Sequence, residues 1–268
     1  MTVANGSLIV DGPQDYPAGS MLTVNGGSAT LRSDAGSPAV NNLSVAVNPG
    51  GNLLLDSEEH LQGLTINNGS VLIPFGPVHA IFLHSPLSLT GRLDLGYNDI
   101  IEYFTGDPHV QIERYRQWIV EGLGGANGLI FTEPSAYPAM YTVLDNRLAH
   151  LTTFDGRVIN DGVNFDQLIV AVAYVGDTNL SGSVTQEDLL NVVANMGRQA
   201  TWFEGDVDMD GVVTPHDYQV VLDHLGNGTA AGAAQLALVS PSAKVLPEPH
   251  GLLALAAVLA LTRRRRRT

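Results

Sequence analysis

Leu22-Thr23-Val24-Asn25-Gly26-Gly27-Ser28-Ala29-Thr30-Leu31 is the unit on which the first third of the chain is built. It joins an apolar–hydroxyl–β-branched triplet, an Asn/Gly turn and a second short apolar strand. The triplet recurs every 21 residues, at Met1-Thr2-Val3, Leu22-Thr23-Val24, Leu43-Ser44-Val45 and Leu64-Thr65-Ile66. The turns follow at Asn5-Gly6, Asn25-Gly26-Gly27, Asn48-Pro49-Gly50-Gly51 and Asn67-Asn68-Gly69, and the second strands at Leu8-Ile9-Val10, Ala29-Thr30-Leu31, Asn52–Leu55 and Val71-Leu72-Ile73. A looser fifth copy spans Leu87–Leu95. Short β segments of fixed period cannot bury a core singly. They stack, each coil covering the next. Residues 1–96 are therefore expected to form a parallel β-helix-like solenoid, with Gly and Asn left-handed at the corners; a β-sandwich with turns at similar spacing is the alternative.

Met1 sits in phase with Leu22, Leu43 and Leu64, so the chain starts inside a coil, whereas a solenoid normally ends in a polar cap. The solenoid is accordingly expected to be N-terminally incomplete. Residues 97–175 read as a small α+β module. Asn98–Tyr103 reads as a strand and Thr105-Gly106-Asp107-Pro108 as a helix start. Ile112, Tyr115, Trp118 and Ile119 recur at helical spacing, Gly122, Gly124 and Gly125 form a stop, a further helix is expected over Pro138–His150, and Leu168–Val175 is a dense β run.

A duplicated acidic loop follows. Loop one runs from Asp177 to Asp188 and loop two, 29 residues on, from Asp206 to Asp217. Oxygen-bearing side chains stand at positions 1, 3, 5, 9 and 12, Gly182 and Gly211 at position 6, and Val184 and Val213 at position 8. Ca2+ needs this arrangement: six to eight hard oxygen ligands, a glycine for the sharp turn, a carbonyl from position 7 and an acid to close the shell. Two ions are expected. Val184 and Val213 are expected to pair the loops through a short β-bridge. Each loop opens a helix, Asp188–Met196 and Asp217–Leu225, whose faces Leu189/Val192/Val193/Met196 and Tyr218/Val221/Leu222/Leu225 should pack together. Loop one offers two carboxylates and loop two four, so loop two is expected to fill first.

A loop plus following helix, doubled, with Asp at position 12 and no ordinary incoming helix, resembles the type I dockerin domain over residues 176–227. The resemblance implies that Asp177, Asn179, Ser181, Ser183 (carbonyl), Thr185 (through water) and Asp188 hold one ion. Asp206, Asp208, Asp210, Val212 (carbonyl), Thr214 and Asp217 would hold the other. It also implies a cohesin-like partner. The family's hydroxyl pair at positions 10 and 11 is here Gln186-Glu187 and Pro215-His216, so a calcium-locked intramolecular module is an equal reading.

An Ala/Gly-rich linker, 228–246, leads to Pro247-Glu248-Pro249, an apolar run from Gly251 to Leu261, and Arg263–Arg267. That order at 247–268 resembles the PEP-CTERM sorting signal of exported bacterial proteins. It implies exosortase-type sorting machinery as partner and a C-terminal helix that anchors the chain in a membrane at least transiently; an amphipathic or disordered basic tail is the alternative. Together with autotransporter-like β-solenoid repeats, these features resemble exported bacterial surface proteins, in which Asn98–Thr132 looks like the module that precedes such dockerin-like pairs.

The fold class expected is thus mainly β with α+β: a solenoid, a small α+β module, then an all-α dockerin-like pair. Composition bounds the function. There are no cysteines, and the net charge is −14 although five of the 13 basic residues crowd the C-terminus, so the body repels phosphate backbones and nucleic acid is no partner. The solenoid acids Asp11, Asp15, Asp34, Asp56, Glu58, Glu59 and Asp94 share no phase of the repeat, and Asp56–His60 reads as a solvated loop. His79 and His84 fall on opposite strand faces, unsuited to zinc, and no Gly-x-Ser-x-Gly, phosphate loop or His-Glu-x-x-His occurs. The expected function is that of a non-catalytic, calcium-stabilised, exported cell-surface or extracellular protein, with surface polysaccharide a further candidate partner. The alternative is the C-terminal part of a β-helix polysaccharide-degrading enzyme whose dockerin docks to a cohesin.

Overall fold

The computed structural model describes residues 1–74, 78–132, 135, 137–160 and 162–228. The expected linker from 229 on and the expected sorting segment 247–268 lie outside the described residues. In chain order the first strands are β1 (Thr2–Ala4), β2 (Ser7–Val10), β3 (Ser20–Asn25), β4 (Ser28–Leu31), β5 (Leu43–Val47), β6 (Asn52–Leu55) and β7 (Glu59–Leu61). There follow β8 (Gly63–Ile66), β9 (Ser70–Leu72), β10 (Ala80–Leu83), β11 (Ser88–Leu89), β12 (Arg92–Asp94) and β13 (Asp99–Tyr103). Next come α1 (His109–Leu123), β14 (Gly128–Ile130), β15 (Ala139–Asp145), α2 (Asn146–Ala149), β16 (Thr153–Phe154), β17 (Arg157–Val158) and β18 (Gln167–Tyr174). Two helices, α3 (Gln186–Asn195) and α4 (Pro215–Asp223), end the described chain.

The protein is mainly β, built on a parallel solenoid of about four turns. One sheet stacks β1-β3-β5-β8-β11 and a second stacks β2-β4-β6-β9-β12-β14. The rung spacing is less regular than the repeat implies. Val3 pairs with Val24, Val24 with Val47, Val47 with Ile66 and Ile66 with Leu89, so Leu22 stacks on Val45 rather than on Leu43. The two-residue slip leaves every side chain on its face, because strand side chains alternate with a period of two. Leu22, Val45 and Leu64 form one buried column, and Val24, Val47 and Ile66 a second on the same face.

The corners between these sheets divide their work between two adjacent residues. Asn5, Gly26, Gly50 and Asn68 take the left-handed conformation. The glycine after each stands where the coils nearly touch: a Cβ on Gly27 would lie 2.6 Å from the Gly6 carbonyl oxygen, and one on Gly51 2.5 Å from that of Val24.

A third sheet was absent from the sequence reading. Strands β7, β10 and β13 pair in parallel, and β13 takes β18 antiparallel, which takes β15. The solvated loop expected at Asp56–His60 is therefore corrected over its last residues, because Glu59 and His60 are buried in β7. His60 stacks on Phe82 with ring centroids 4.4 Å apart, and its Nδ1 lies 2.6 Å from Asp34 Oδ2. The helix expected over Pro138–His150 is also corrected. Ala139–Asp145 is a strand paired along its whole length with β18, and only Asn146–Ala149 is helical. Tyr141 and Val143 pack into the main core while Leu144 faces a second cluster with Phe82, Ile101 and Ile169, so both faces are apolar and no strand alternation shows. The expected boundary at 96/97 falls inside these sheets, since β13 and β14 are their next parallel rungs.

Two glutamates face the solenoid interior. Glu59 pairs in register with Ile81, and Glu102 with Leu83. Glu59 accepts the Ala35 N–H at 2.9 Å and the Ser57 hydroxyl at 2.7 Å. Glu102 accepts the Leu87 N–H at 2.9 Å and the Tyr115 hydroxyl at 2.6 Å. Each thus satisfies a corner N–H that no rung can reach. Burial pushes Glu59 up to about 8 and raises Glu102. The folded chain holds the Glu59 proton more tightly than the unfolded chain, so stability is largest below the ordinary Glu range and falls as the pH rises towards 8. Glu59→Gln mimics the protonated acid. It should flatten the decline between pH 5 and 8 and be more stable than wild type at pH 8 by roughly 1–3 kcal/mol in urea denaturation. Asp99, pushed to about 8 by burial and by Asp155, leaves a residual slope. A variant with the wild-type pH profile would refute the assignment.

Candidate metal centre

Strand β18 delivers the chain into Gly176 and loop one without an intervening turn of helix. Both loops are wound alike. Leu180 and Met209 at position 4 have φ of 57° and 59°, and Gly182 and Gly211 at position 6 have φ of 81° and 99°. These reversals close the backbone around the position-1 carboxylate. Asp177 Oδ1 accepts the Ser181 N–H at 3.0 Å and Oδ2 the Gly182 N–H at 2.8 Å. Asp206 repeats the pattern, accepting the Asp210 and Gly211 N–H groups, each at 3.1 Å. At position 3, Asn179 Oδ1 and Asp208 Oδ1 accept the N–H groups of Ser181 and Asp210. The Ser181 hydroxyl donates to the Ser183 carbonyl at position 7. In loop two, Asp206, Asp208 and Asp210 bring one oxygen each to within 4.8 Å of one another. Val212, at position 7, is exposed.

Positions 9 and 12 do different work. Thr185 and Thr214 are N-caps of α3 and α4, with hydroxyls that accept the Glu187 and His216 N–H groups. Each hydroxyl also donates to Oδ2 of its Asp, Asp188 or Asp217, which takes the Thr N–H as well. The Oδ1 atoms reach back to positions 2 and 3, Asp188 to Thr178 and Asn179, and Asp217 to Val207 and Asp208. Positions 1, 3 and 5 therefore converge, while position 12 staples the loop's start to the helix N-terminus. For Asp188 or Asp217 to grip an ion, one of those donors must turn away.

Electrostatics separates the copies. Asp177 and Asp188 are 1% and 0% exposed, and among the described residues no basic side chain ion-pairs with either. Burial, then the neighbouring Asp188 charge, pushes Asp177 up to about 6. Asp206, equally buried, is pushed to about 6 by burial against the opposing pull of Arg116. The Arg116 guanidinium of α1 donates to Asp206 Oδ2 and, at 3.1 Å, to Glu113 Oε1. His216 Nδ1 lies 2.7 Å from Asp208 Oδ2. Sequence reading missed Arg116, which lies 90 residues from its partner.

The expected bridge between Val184 and Val213 is corrected. Val184 exchanges hydrogen bonds with Asn227 and Gly226, and Val213 with Arg198 and Gly197. Each loop thus pairs with the segment that follows the other loop's helix, because Gly197 and Gly226 are left-handed and turn the chain back beside the partner loop. The expected helix seam holds for Leu189, Val192, Val221, Leu222 and Leu225, which are buried. Val193 and Met196 are exposed. At Met196 the chain has left the helix for an extended conformation, which takes that side chain off the seam. Trp202 locks the pair from within, its indole N–H donating to the Asp177 carbonyl at 2.7 Å. The chain matches no protein-family model, no curated protein and no solved structure.

One signal was readable but unused: the Gly-Asp pair that opens each loop. Gly176 and Gly205 have φ of 97° and 106°, and each backs onto the helix of the other loop. A Cβ on Gly205 would lie 2.8 Å from Val192 Cα, and one on Gly176 3.2 Å from Val221 Cα. Gly205→Ala should cost about 2–4 kcal/mol through strain and overpacking. Gly182→Ala, left-handed but facing open space, should cost about 1–2 kcal/mol. Equal losses in urea denaturation would overturn this packing argument.

Proposed function

We propose that the chain is a non-catalytic, exported cell-surface or extracellular protein, stabilised by two Ca2+ ions in a dockerin-like loop–helix pair at 176–227 and sorted through 247–268 by exosortase-type machinery. The observation that carries the calcium reading is the burial of Asp177 and Asp188 without a basic partner among the described residues. Two carboxylates withdrawn from water are costly unless a cation joins them. The donor set is all oxygen, with no thiol and no imidazole in loop one, which suits a hard cation such as Ca2+ rather than zinc.

Asp177, Asn179, Ser181, the Ser183 carbonyl and Asp188 would hold one ion, with Thr185 acting through water. Asp206, Asp208, Asp210, the Val212 carbonyl, Thr214 and Asp217 would hold the other. The metal supplies positive charge and nothing catalytic. This chain's own residues do the rest: Gly182 and Gly211 shape the turns, Thr185 and Thr214 start the helices, and the crossed pairing of each loop with the other's helix end makes the pair one unit. A solenoid that ends in such a unit gains a clamp whose strength follows external calcium. A cohesin-like domain or surface polysaccharide would meet it from outside. Among the described residues no helix is long and apolar enough to cross a membrane, so the proposed anchor rests on the sequence of the tail alone.

Thermal melts of the full chain test the calcium reading. Adding chelator should lower the Tm by about 5–10 °C, as loss of one or two ions near saturation implies. Calcium should restore it and equimolar magnesium should not. A melt indifferent to chelator would remove the basis of the proposal.

A further inference from the structure

We infer that Arg116 is the resident cation of loop two, neutralising Asp206 in the metal-free protein so that a divalent ion must compete with it. The inference rests on the calcium reading above and deepens it. Arg116 is buried on α1 and shared between Glu113, half exposed, and Asp206, fully buried. Its guanidinium nitrogens also lie 3.6 Å from where a Cβ of Gly211 would stand, so the cation covers the position-6 turn as well as the position-1 acid. Loop one, which repeats the backbone and hydrogen bonds of loop two, has no counterpart among the described residues.

Two further features fit a replaceable cation rather than a permanent strut. Arg116 and Glu113 line a cavity of about 570 Å³ that also reaches Asp210 and Gly211, so a displaced guanidinium has room and keeps Glu113 as partner. Asp206 Oδ1 accepts only a 3.1 Å bond from Asp210, leaving the side of the carboxylate away from Arg116 the less committed one. His216 adds a second basic group at Asp208, but it is exposed and solvent screens it.

The carboxylate count alone would make loop two the tighter site. Arg116 offsets that advantage: loop two is ordered without metal and gives up one favourable contact on binding it, whereas loop one has only the ion to neutralise it. A unit positive charge close to a divalent ion weakens its binding by about tenfold even when largely screened.

Calcium titration of the full chain by calorimetry tests this, with loop two's binding event identified as the one that Asp210→Asn weakens. Arg116→Gln should tighten that event about tenfold and lower the melting temperature of the chelated protein more than that of the calcium-loaded protein. Arg116→Lys, which keeps the charge but loses the fork that spans Glu113 and Asp206, should tighten it about threefold. Unchanged or weaker binding in these variants overturns the inference while leaving the calcium reading intact. Failure of wild type to bind calcium at either loop ends both. Hydrogen exchange on chelated wild type needs no variant: the Gly211 amide should be protected well beyond the Gly182 amide, and equal exchange overturns the inference.

Discussion

A parallel solenoid pairs most of its backbone from coil to coil, but at some corners, as at Ala35 and Leu87, an N–H turns inward where no rung accepts it. Buried backbone donors must nevertheless be satisfied. This chain answers with acids. Glu59 takes the Ala35 N–H and Glu102 the Leu87 N–H, and the loops after β18 apply the same device, each position-1 Asp collecting the N–H groups of positions 5 and 6. A carboxyl suits the task because each of its oxygens accepts more than one donor, and a side chain one or two carbons from the backbone reaches without strain. The cost is charge burial, and the rest of the structure follows from how that charge is neutralised.

Much of the solenoid was legible because parity survives irregular spacing. The rungs advance unevenly, yet in the first sheet each slip is an even number of residues from the 21-residue repeat, so Leu43 and Val45 are interchangeable as markers of the inner face. The third sheet was illegible for the opposite reason. In β7 and β10 both faces are buried, one under solenoid core and the other under His60, Phe82 and the segment that packs on them, so apolar and polar residues do not alternate. Glu59 and His60 then read as solvent-facing because their partners, Ala35 and Asp34, lie more than a full coil earlier. The same double burial disguised β15, where Met140, Tyr141, Val143 and Leu144 fit a helix as well as a strand.

In the acidic pair, local chemistry was legible and its connections were not. Spacing within each loop identified the acids, the glycine and the helix that follows, since all lie within a dozen residues. The exchange of hydrogen bonds between Val184 and Gly226–Asn227, and between Val213 and Gly197–Arg198, involves backbone groups that carry no side-chain signature. Arg116 could be read only as a polar residue of an amphipathic helix. Its burial follows from where α1 lies against loop two, which nothing near Arg116 in sequence announces.

What the fold brings near decides how each buried acid is neutralised. Glu59 sits inside stacked aliphatic side chains, and burial raises it to about 8, so near neutral pH it keeps a proton that the core tolerates because a neutral carboxyl still accepts an N–H. Burial raises Glu102 as well, against the opposing pull of Arg114. Asp206 lies against α1 and receives a guanidinium. Asp177 and Asp188 have no basic side chain paired with them among the described residues, and the surrounding body carries far more acid than base. Twin loops of one backbone design thus end in different electrostatic states, through their unequal acid content and through a contact from outside the repeat, Arg116 on Asp206. The contact ties the pair to the body of the chain, because the counter-charge of Asp206 comes from α1 and not from either loop.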